Sequence, residues 1–298
     1  MLLQSMPCAL CGTTVSGRVK YKENFRMDDL NEKTFSARRL PDRIHYRILR
    51  CPQDGMVWSS PVLSAGDAAK LYKHSSFSYT DEIQNLTVTY IEALKQVLDN
   101  IKFDASILEI GCGNGFMLDA LYKKGFHRLY GIEPSQDAVQ KTPAHIRERI
   151  VVNSFDEGTF SEGTFDLIYF FQTLDHIYDP NVFIAQCFKW LKPGGFIVAF
   201  QHNVESISAR ALGRLSPIID VEHIYLFSPE TIKVIFKKHG FSVLRVYSPI
   251  NQISLRHLLW LMPISKGIKT KILKSQGKWL SWSIRVKLGN LCLVAQKG

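Results

Sequence analysis

Residues 109–115, Glu-Ile-Gly-Cys-Gly-Asn-Gly, set three glycines at alternate positions directly behind an apolar run. Glycine admits positive φ and lets a ligand approach bare main chain. Gly111, Gly113 and Gly115 therefore suit a turn whose amides face a polar or anionic group. A further acid, Glu133, stands 22 residues past Gly111. At that spacing a carboxylate can accept hydrogen bonds from ribose hydroxyls. These residues together describe a turn built for a nucleoside.

The elements that must position them are legible on both sides. Residues 106–110 are short, apolar and β-branched, which predicts a buried strand. Residues 116–124 carry apolar side chains at Phe116, Met117, Ala120 and Leu121 and run into Gly125, which predicts a helix with a glycine stop. A second strand is expected at 128–132, ending on Glu133. A third is expected at 150–152, followed by Asn153, Ser154, Phe155 and Asp156. Residues 165–171 are apolar apart from Asp166 and fit a parallel strand covered on both faces. A helix, a Lys-Pro-Gly-Gly turn at 192–195 and a fifth strand follow.

Two kinds of ligand use a glycine turn of this sort. The dinucleotide pattern G-x-G-x-x-G needs a third glycine where this chain has Phe116. The pattern present, E-x-G-x-G-x-G from Glu109 to Gly115, resembles the nucleoside-binding loop of class I S-adenosylmethionine-dependent methyltransferases. The series F-D-L-I at 165–168, D-H-I-Y-D-P at 175–180 and L-K-P-G-G at 191–195 carries the same resemblance. It covers roughly residues 85–248 and a last strand near 291–296. It implies an α/β fold with a doubly wound, Rossmann-like sheet of seven mostly parallel strands, the last antiparallel. It also implies S-adenosylmethionine as cofactor, held by Glu109, Gly111, Gly113, Gly115 and Glu133. Ser154 and Phe155 would lie at the adenine, and Gln172 beside the amino acid part. Ligands of such sheets bind at the carboxyl ends of the strands.

Methyl transfer from a sulfonium carbon asks mainly for alignment, exclusion of water and, where needed, removal of a proton. Candidate bases follow the fourth and fifth strands: Asp175, His176, His202, Asp220, Glu222 and His223. Of these, His223, His176 and Asp175 form the favoured catalytic set. The segment 220–223 precedes a helix capped by Ser228 and Pro229 and stopped by Gly240. In the resembled family this segment lies near the acceptor. His176 equally suits a hydrogen-bonded residue that fixes the exit of the fourth strand.

A second chemistry is offered at the front. Cys8 and Cys11 form a C-x-x-C pair, and after 39 intervening residues come Cys51 and Asp54. Three thiolates and a carboxylate can close a tetrahedral zinc site, with His45 as another candidate fourth ligand. The alternative is a ribbon that folds without metal. The arrangement resembles bacterial methyltransferases with an N-terminal zinc-binding module, including sugar C-methyltransferases and enzymes associated with surface polysaccharide. Asp54 departs from the usual cysteine, and the long extra C-terminal domain of the sugar C-methyltransferases is lacking. The expected organisation is a zinc-ribbon-like module at 1–62 and a methyltransferase domain at 63–298.

The chain has 298 residues, 46% of them apolar, enough for a large core. No run suits a membrane-spanning helix, and residues 1–12 lack the basic start of a signal peptide. Cys112, Cys187 and Cys292 fall inside predicted core elements, which favours a reducing, cytoplasmic setting. The net charge of +10 is uneven: residues 231–298 hold 13 Lys or Arg and no acid, against 24 basic and 27 acidic residues elsewhere. Such a tail points to an anionic partner. Within it, a basic amphipathic insertion at about 249–290 carries Trp260, Trp279 and Trp282. Its Ile264, Ile268, Ile272, Leu280 and Ile284 recur at near-helical spacing among Lys266, Lys269, Lys274 and Lys278. The insertion suits peripheral contact with the inner membrane face, or else a lid on the domain.

The leading expectation is methyl transfer to a small-molecule acceptor, a sugar or glycan precursor. RNA methylation, with the basic tail on phosphates, is the alternative. A cofactor-binding scaffold without turnover is the non-enzymatic one.

Overall fold

The computed structural model describes residues 2–32, 34–35, 43–73, 82–153, 158–264, 267, 272 and 277–298. The strands are β1 Leu3–Gln4, β2 Arg18–Tyr21, β3 Ile48–Arg50, β4 Val57–Ser59, β5 Val62–Leu63, β6 Ile107–Ile110, β7 Leu129–Ile132, β8 Ile150–Val151, β9 Phe165–Phe171, β10 Leu191–His202, β11 Tyr225–Leu226, β12 Phe241–Tyr247, β13 Asn251–Ser254, β14 Ser283–Val286 and β15 Asn290–Lys297. The helices are α1 Ala65–Lys73, α2 Ile83–Leu98, α3 Phe116–Lys123, α4 Gln136–Gln140, α5 Ala144–Arg147, α6 Pro180–Trp190, α7 Ile207–Leu212, α8 Pro229–Lys238 and α9 Leu255–Leu261.

The central sheet has seven strands in the order β12-β15-β10-β9-β6-β7-β8. Its inner strands pair in parallel, and β15 runs antiparallel to both neighbours. The apolar runs that predicted β6 and β9 are buried nearly throughout. Asp166, the one break in β9, accepts from Ser106 N–H at 2.8 Å and from Lys192 Nζ at 2.7 Å. It thereby fastens the starts of three strands. The Lys-Pro-Gly-Gly segment lies within β10 as a register shift between Leu191 and Phe196.

Helices cover both faces of the sheet. On one face α2 buries Leu86, Tyr90, Ala93, Leu94 and Val97, one stripe of a 3.6-residue repeat, and α3 adds Met117, Leu118 and Leu121. On the other lie α6 and α8. Asp179 caps α6, Ser228 caps α8 with Pro229 at its first position, and Gly240 ends α8 at φ 86°.

The front residues do not stand apart. β11 pairs with β4, so the sheet β11-β4-β3-β2 takes an edge strand from residues 225–226. Met6, Cys8, Tyr46 and Trp58 share one apolar core with Phe170, Phe183 and Phe236. Burying that seam joins residues 1–62 and 63–298 through hydrophobic contact as well as strand pairing.

The insertion is anchored. Gln252 N–H donates to Thr89 Oγ1 at 2.9 Å, and Ser283 Oγ donates to Asn85 Oδ1 at 2.7 Å, tying both β13 and β14 to α2. The near-helical spacing does not give one helix. α9 stops at Leu261, Leu280 sits buried in a 3₁₀ turn at Lys278–Ser281, and Ile284 lies in β14. Gly277 is extended, and strand pairing with β13 captures the β-branched end. Lys266, Ile268, Lys269 and Lys274 fall outside the described residues. Trp260, Trp279 and Trp282 are exposed. Among the described residues, no helix is long and apolar enough to cross a membrane.

Candidate active site

The chain passes from β6 to α3 through the glycine turn. Gly111, Gly113 and Gly115 take φ of 76°, 54° and 67°. A Cβ on Gly111 would stand 2.6 Å from Thr173 Oγ1, and one on Gly115 would stand 2.8 Å from Thr142 Cγ2. Side chains at these two positions would therefore be strained and also collide. Glu133, at the end of β7, turns into the loop. Its Oε2 accepts from Gly113 N–H and its Oε1 from Ser135 N–H, both at 2.8 Å. Burial pushes its carboxyl up, while the two amides pull it back. Each oxygen keeps a lone pair for a further donor.

Glu109 lies in β6, two residues before Gly111. It is buried and accepts the Tyr169 hydroxyl at 3.0 Å. Burial pushes its carboxyl well up, and the charge of Glu133 adds to the shift. Gln172 follows β9 with φ 53°, a left-handed conformation rare outside glycine. Among the described residues its buried Oε1 has no hydrogen-bond partner, nor has Oδ1 of Asn114 inside the turn.

These features fit S-adenosylmethionine, whose ammonium and ribose hydroxyls are donors. Glu133 would take the ribose, while the turn, Asn114 and Gln172 would hold the amino acid end. Ser154 and Phe155 lie outside the described residues. Asn114 had no spacing signal beyond lying between two of the glycines.

Thr173 links this turn to a second cluster. It rests against Gly111, and its hydroxyl donates to Ile110 O at 3.3 Å. Two residues on, Asp175 is buried with three imidazoles around it. His176, His202 and His223 place Nε2 at 3.9, 3.8 and 3.7 Å from its carboxylate oxygens. The structure thus brings together Asp175, His176 and His223 of the favoured set with His202, also among the candidate bases, from the end of β10. With its amide oriented to satisfy both neighbours, Gln201 donates to Asp175 Oδ1 at 3.0 Å and accepts from Leu174 N–H at 3.1 Å. Burial pushes the Asp175 carboxyl up, but the imidazoles outweigh it and hold it below the usual range. Burial holds His176 low and His202 down at about 3, against the pull of Asp175.

The front sheet holds His223 in place. Ser59 Oγ donates to His223 O and Ser59 N–H to Ile224 O, both at 2.7 Å. Ile224 N–H donates to Asp175 O at 2.7 Å, and Tyr225 OH reaches Pro7 O at 3.0 Å. Pro7 adjoins Cys8. The ligand atoms of Cys8, Cys11, Cys51 and Asp54 lie within 4.8 Å of one another. The two knuckles match: Gly12 N–H donates to Cys8 O and Gly55 N–H to Cys51 O, with Gly12 and Gly55 at φ 76° and 77°. Burial raises the Asp54 carboxyl, but Met56 N–H and the three thiols together hold it below its ordinary value. His45 lies elsewhere, its Nδ1 on Tyr46 O at 2.8 Å. All six cysteines are free thiols, with Cys112, Cys187 and Cys292 buried as expected.

A cavity of about 420 Å³ opens at the opposite, amino-terminal edge of the sheet, beside Ala105, Arg128, Asp166 and Lys192. It holds none of the site residues, and its ion pair serves strand fastening.

Fold and turn together define a nucleoside-dependent α/β protein of methyltransferase architecture. A family model described as a methyltransferase domain matches residues 83–246, and the chain belongs to that family. It is similar to an uncharacterized methyltransferase of Geobacillus thermodenitrificans, 29% identical over 189 residues, 59% of this chain and 86% of that protein. It is also similar to a ubiquinone biosynthesis O-methyltransferase of Caulobacter vibrioides, 25% identical over 116 residues, 36% of this chain and 46% of that one. The chain thus spans about half the length of that curated relative. A solved structure of a candidate methyltransferase from Bacillus halodurans shares the fold, with TM-score 0.51 and 15% identity over 70% of this chain and 98% of that one.

Proposed function

We propose that the protein transfers a methyl group from S-adenosylmethionine to a hydroxyl of a small molecule, a sugar or glycan precursor. The observation that carries this reading is the contact of Thr173 with Gly111, which sets the histidine–aspartate cluster against the nucleoside turn. When bound, the cofactor supplies an electrophilic methyl carbon. The turn and Glu133 orient it, and Gln172 and Asn114 accept from its donors. Asp175, His176, His202 and His223 take the acceptor side, where His223 and its neighbours remove the hydroxyl proton. Oxygen as the methylated atom is supported by the similarity to the Caulobacter protein, an O-methyltransferase. The sugar class rests on the resemblance of the front cysteines to those of sugar-modifying methyltransferases.

In the same reading Cys8, Cys11, Cys51 and Asp54 hold a structural zinc ion, with a ligand number and chemistry that suit a closed tetrahedral site. The zinc stiffens the front sheet, whose β4 fastens the His223 segment. The exposed Trp260, Trp279 and Trp282 support contact between the insertion and a membrane surface, where a lipid-linked acceptor would be met.

Calorimetry with S-adenosylmethionine and transfer of labelled methyl to nucleotide sugars, lipid-linked glycan precursors, dihydroxyphenols and RNA test the proposal. Cofactor binding with label in a sugar-bearing acceptor is expected. Label in RNA alone, or binding without transfer to any of the panel, overturns the sugar reading; absence of cofactor binding overturns the enzyme reading itself.

A further inference from the structure

The distances in the histidine–aspartate cluster are unusual. Three Nε2 atoms face one buried carboxylate at 3.7–3.9 Å. That is too long for a hydrogen bond, and a protonated imidazole would close to roughly 2.7–2.9 Å. The far side of each ring fixes what Nε2 carries. His223 Nδ1 lies 2.8 Å from Ile218 O, which can only accept, so Nδ1 bears the proton. His202 Nδ1 faces Asn290 Oδ1 at 3.3 Å in the same sense, and the backbone of Glu222 bonds the His176 ring. In the tautomer that these oxygen contacts set, Nε2 of His202 and of His223 is the acceptor nitrogen, and it faces the Asp175 carboxylate. Among the described residues Asp175 Oδ2, in a residue only 1% exposed, has no hydrogen-bond partner.

We infer that Asp175, His176, His202 and His223 form a binding site for a divalent transition metal ion. Ligand atoms of Asp175, His176 and His223 already lie within 4.8 Å of one another. An ion with bonds of about 2.1 Å sets tetrahedral ligands about 3.4 Å apart, so each Nε2 stands a few tenths of an ångström too far from the Asp175 carboxylate, and the rings must also draw toward one another to share the ion. The outer contacts follow the pattern of metal-bound histidine, in which the second ring nitrogen donates to a carbonyl and the ligating carboxylate is itself hydrogen-bonded, here by Gln201. Nitrogen-rich donors select zinc, cobalt, nickel, copper or iron over magnesium or calcium. The side chains of His176 and His202 are 27% and 24% exposed, which leaves one side of the site open to an oxygen ligand.

The ion's role rests on the proposed acceptor reading; its presence does not. With the ion bound, Nε2 of His223 is engaged as a ligand and the ion takes over from it: an acceptor hydroxyl would be acidified, its proton passing to solvent while the O–H electron pair stays on oxygen. That oxygen would then bond the methyl carbon as the carbon–sulfur bond breaks, its electron pair passing to sulfur and S-adenosylhomocysteine leaving.

Cobalt(II) titration of the chelator-treated, reduced full chain tests the inference. The wild type is expected to take a second equivalent beyond the cysteine site. The first gives near-ultraviolet thiolate-to-cobalt charge transfer, and the second only visible d–d bands. His202→Ala/His223→Ala should keep the charge-transfer band, which reports a folded front sheet, and lose the second equivalent. If that variant misfolds, Asp175→Asn in the same titration should weaken the second site by at least the roughly 10–100-fold that losing even an outer partner costs. A wild type that binds cobalt only through thiolate, or a second site that survives both variants, overturns the inference. Metal binding without methyl transfer would overturn the acceptor reading and leave the site standing.

Discussion

Glu133→Gln separates cofactor recognition from folding, because the two effects oppose. In the wild type each carboxylate oxygen accepts an amide, from Gly113 and from Ser135. Glutamine keeps the shape but turns a donor toward one of those amides. One charge-assisted bond, about 1.5–3 kcal/mol, is lost. Against this, burial disfavours the charge, as the raised carboxyl shows. A group whose pKa is higher folded than unfolded contributes stability below its ordinary value, and that contribution fades as pH rises through the raised value. Above that window the wild type carries a burial cost that the variant is spared, so the two stabilities should differ by less than about 1.5 kcal/mol at neutral pH. The cofactor gets no such offset. Losing the anionic acceptor for a ribose hydroxyl should weaken S-adenosylmethionine by the same 1.5–3 kcal/mol, about 10–150-fold. Wild-type affinity should also fall with acidification, beginning above the usual glutamate value of 4.5, while the variant stays flat. Calorimetry across pH and urea unfolding give both readouts. An affinity within about twofold of wild type, with a matching pH profile, would refute the ribose assignment.

Gly111→Ala should cost about 1–2 kcal/mol from its positive φ and a further ~1–3 from the 2.6 Å approach to Thr173, read by urea unfolding; a neutral result would contradict the close packing of turn against cluster. Ser59→Ala should leave the buried His223 carbonyl without its donor, costing about 1–3 kcal/mol of stability and lowering kcat while S-adenosylmethionine affinity holds. Replacing Trp260 and Trp282 by Ser should reduce sedimentation with anionic vesicles and leave cofactor binding intact; unchanged sedimentation would remove the membrane reading.

What could be read from the chain follows how local each signal is. The β6 turn, β9, α6 and α8 each carry their instruction within about ten residues: a glycine spacing, an apolar run, a cap with proline behind it. The positions of β6, α3, β9 and α8 agree with the expectation to within a residue or two. The insertion misled because isoleucine spacing alone cannot tell a helix from residues divided between a 3₁₀ turn and a strand. At the site, Asp175, His176 and His223 were visible as titratable groups after strands. Their convergence with His202, and the support from Gln201 and Asn290, come from the pairing of β9, β10 and β15 and leave no mark in local spacing.

The deepest of these nonlocal facts is β11. Tyr225 and Leu226 read as an approach to α8, yet they complete the front sheet opposite Trp58 and Val57. Two residues before Tyr225 stands His223, and its carbonyl and that of Ile224 are both bonded by Ser59. The position of the imidazole is therefore set from outside the Rossmann-like domain, by a sheet whose β3–β4 turn carries Cys51 and Asp54 and whose edge strand reaches the Cys8 knuckle through Tyr225 and Pro7. A sheet of such short strands has little hydrophobic area of its own, which is the circumstance in which a bound metal adds most rigidity. If Cys8, Cys11, Cys51 and Asp54 bind zinc, its removal should disorder residues 223–226 before it unfolds the central sheet. Hydrogen exchange should then show Ile224 and Tyr225 amides losing protection while those of β6 and β9 keep theirs. Equal loss throughout would mean that the front sheet and the domain unfold as one, and that metal contributes to global stability rather than to the placement of His223.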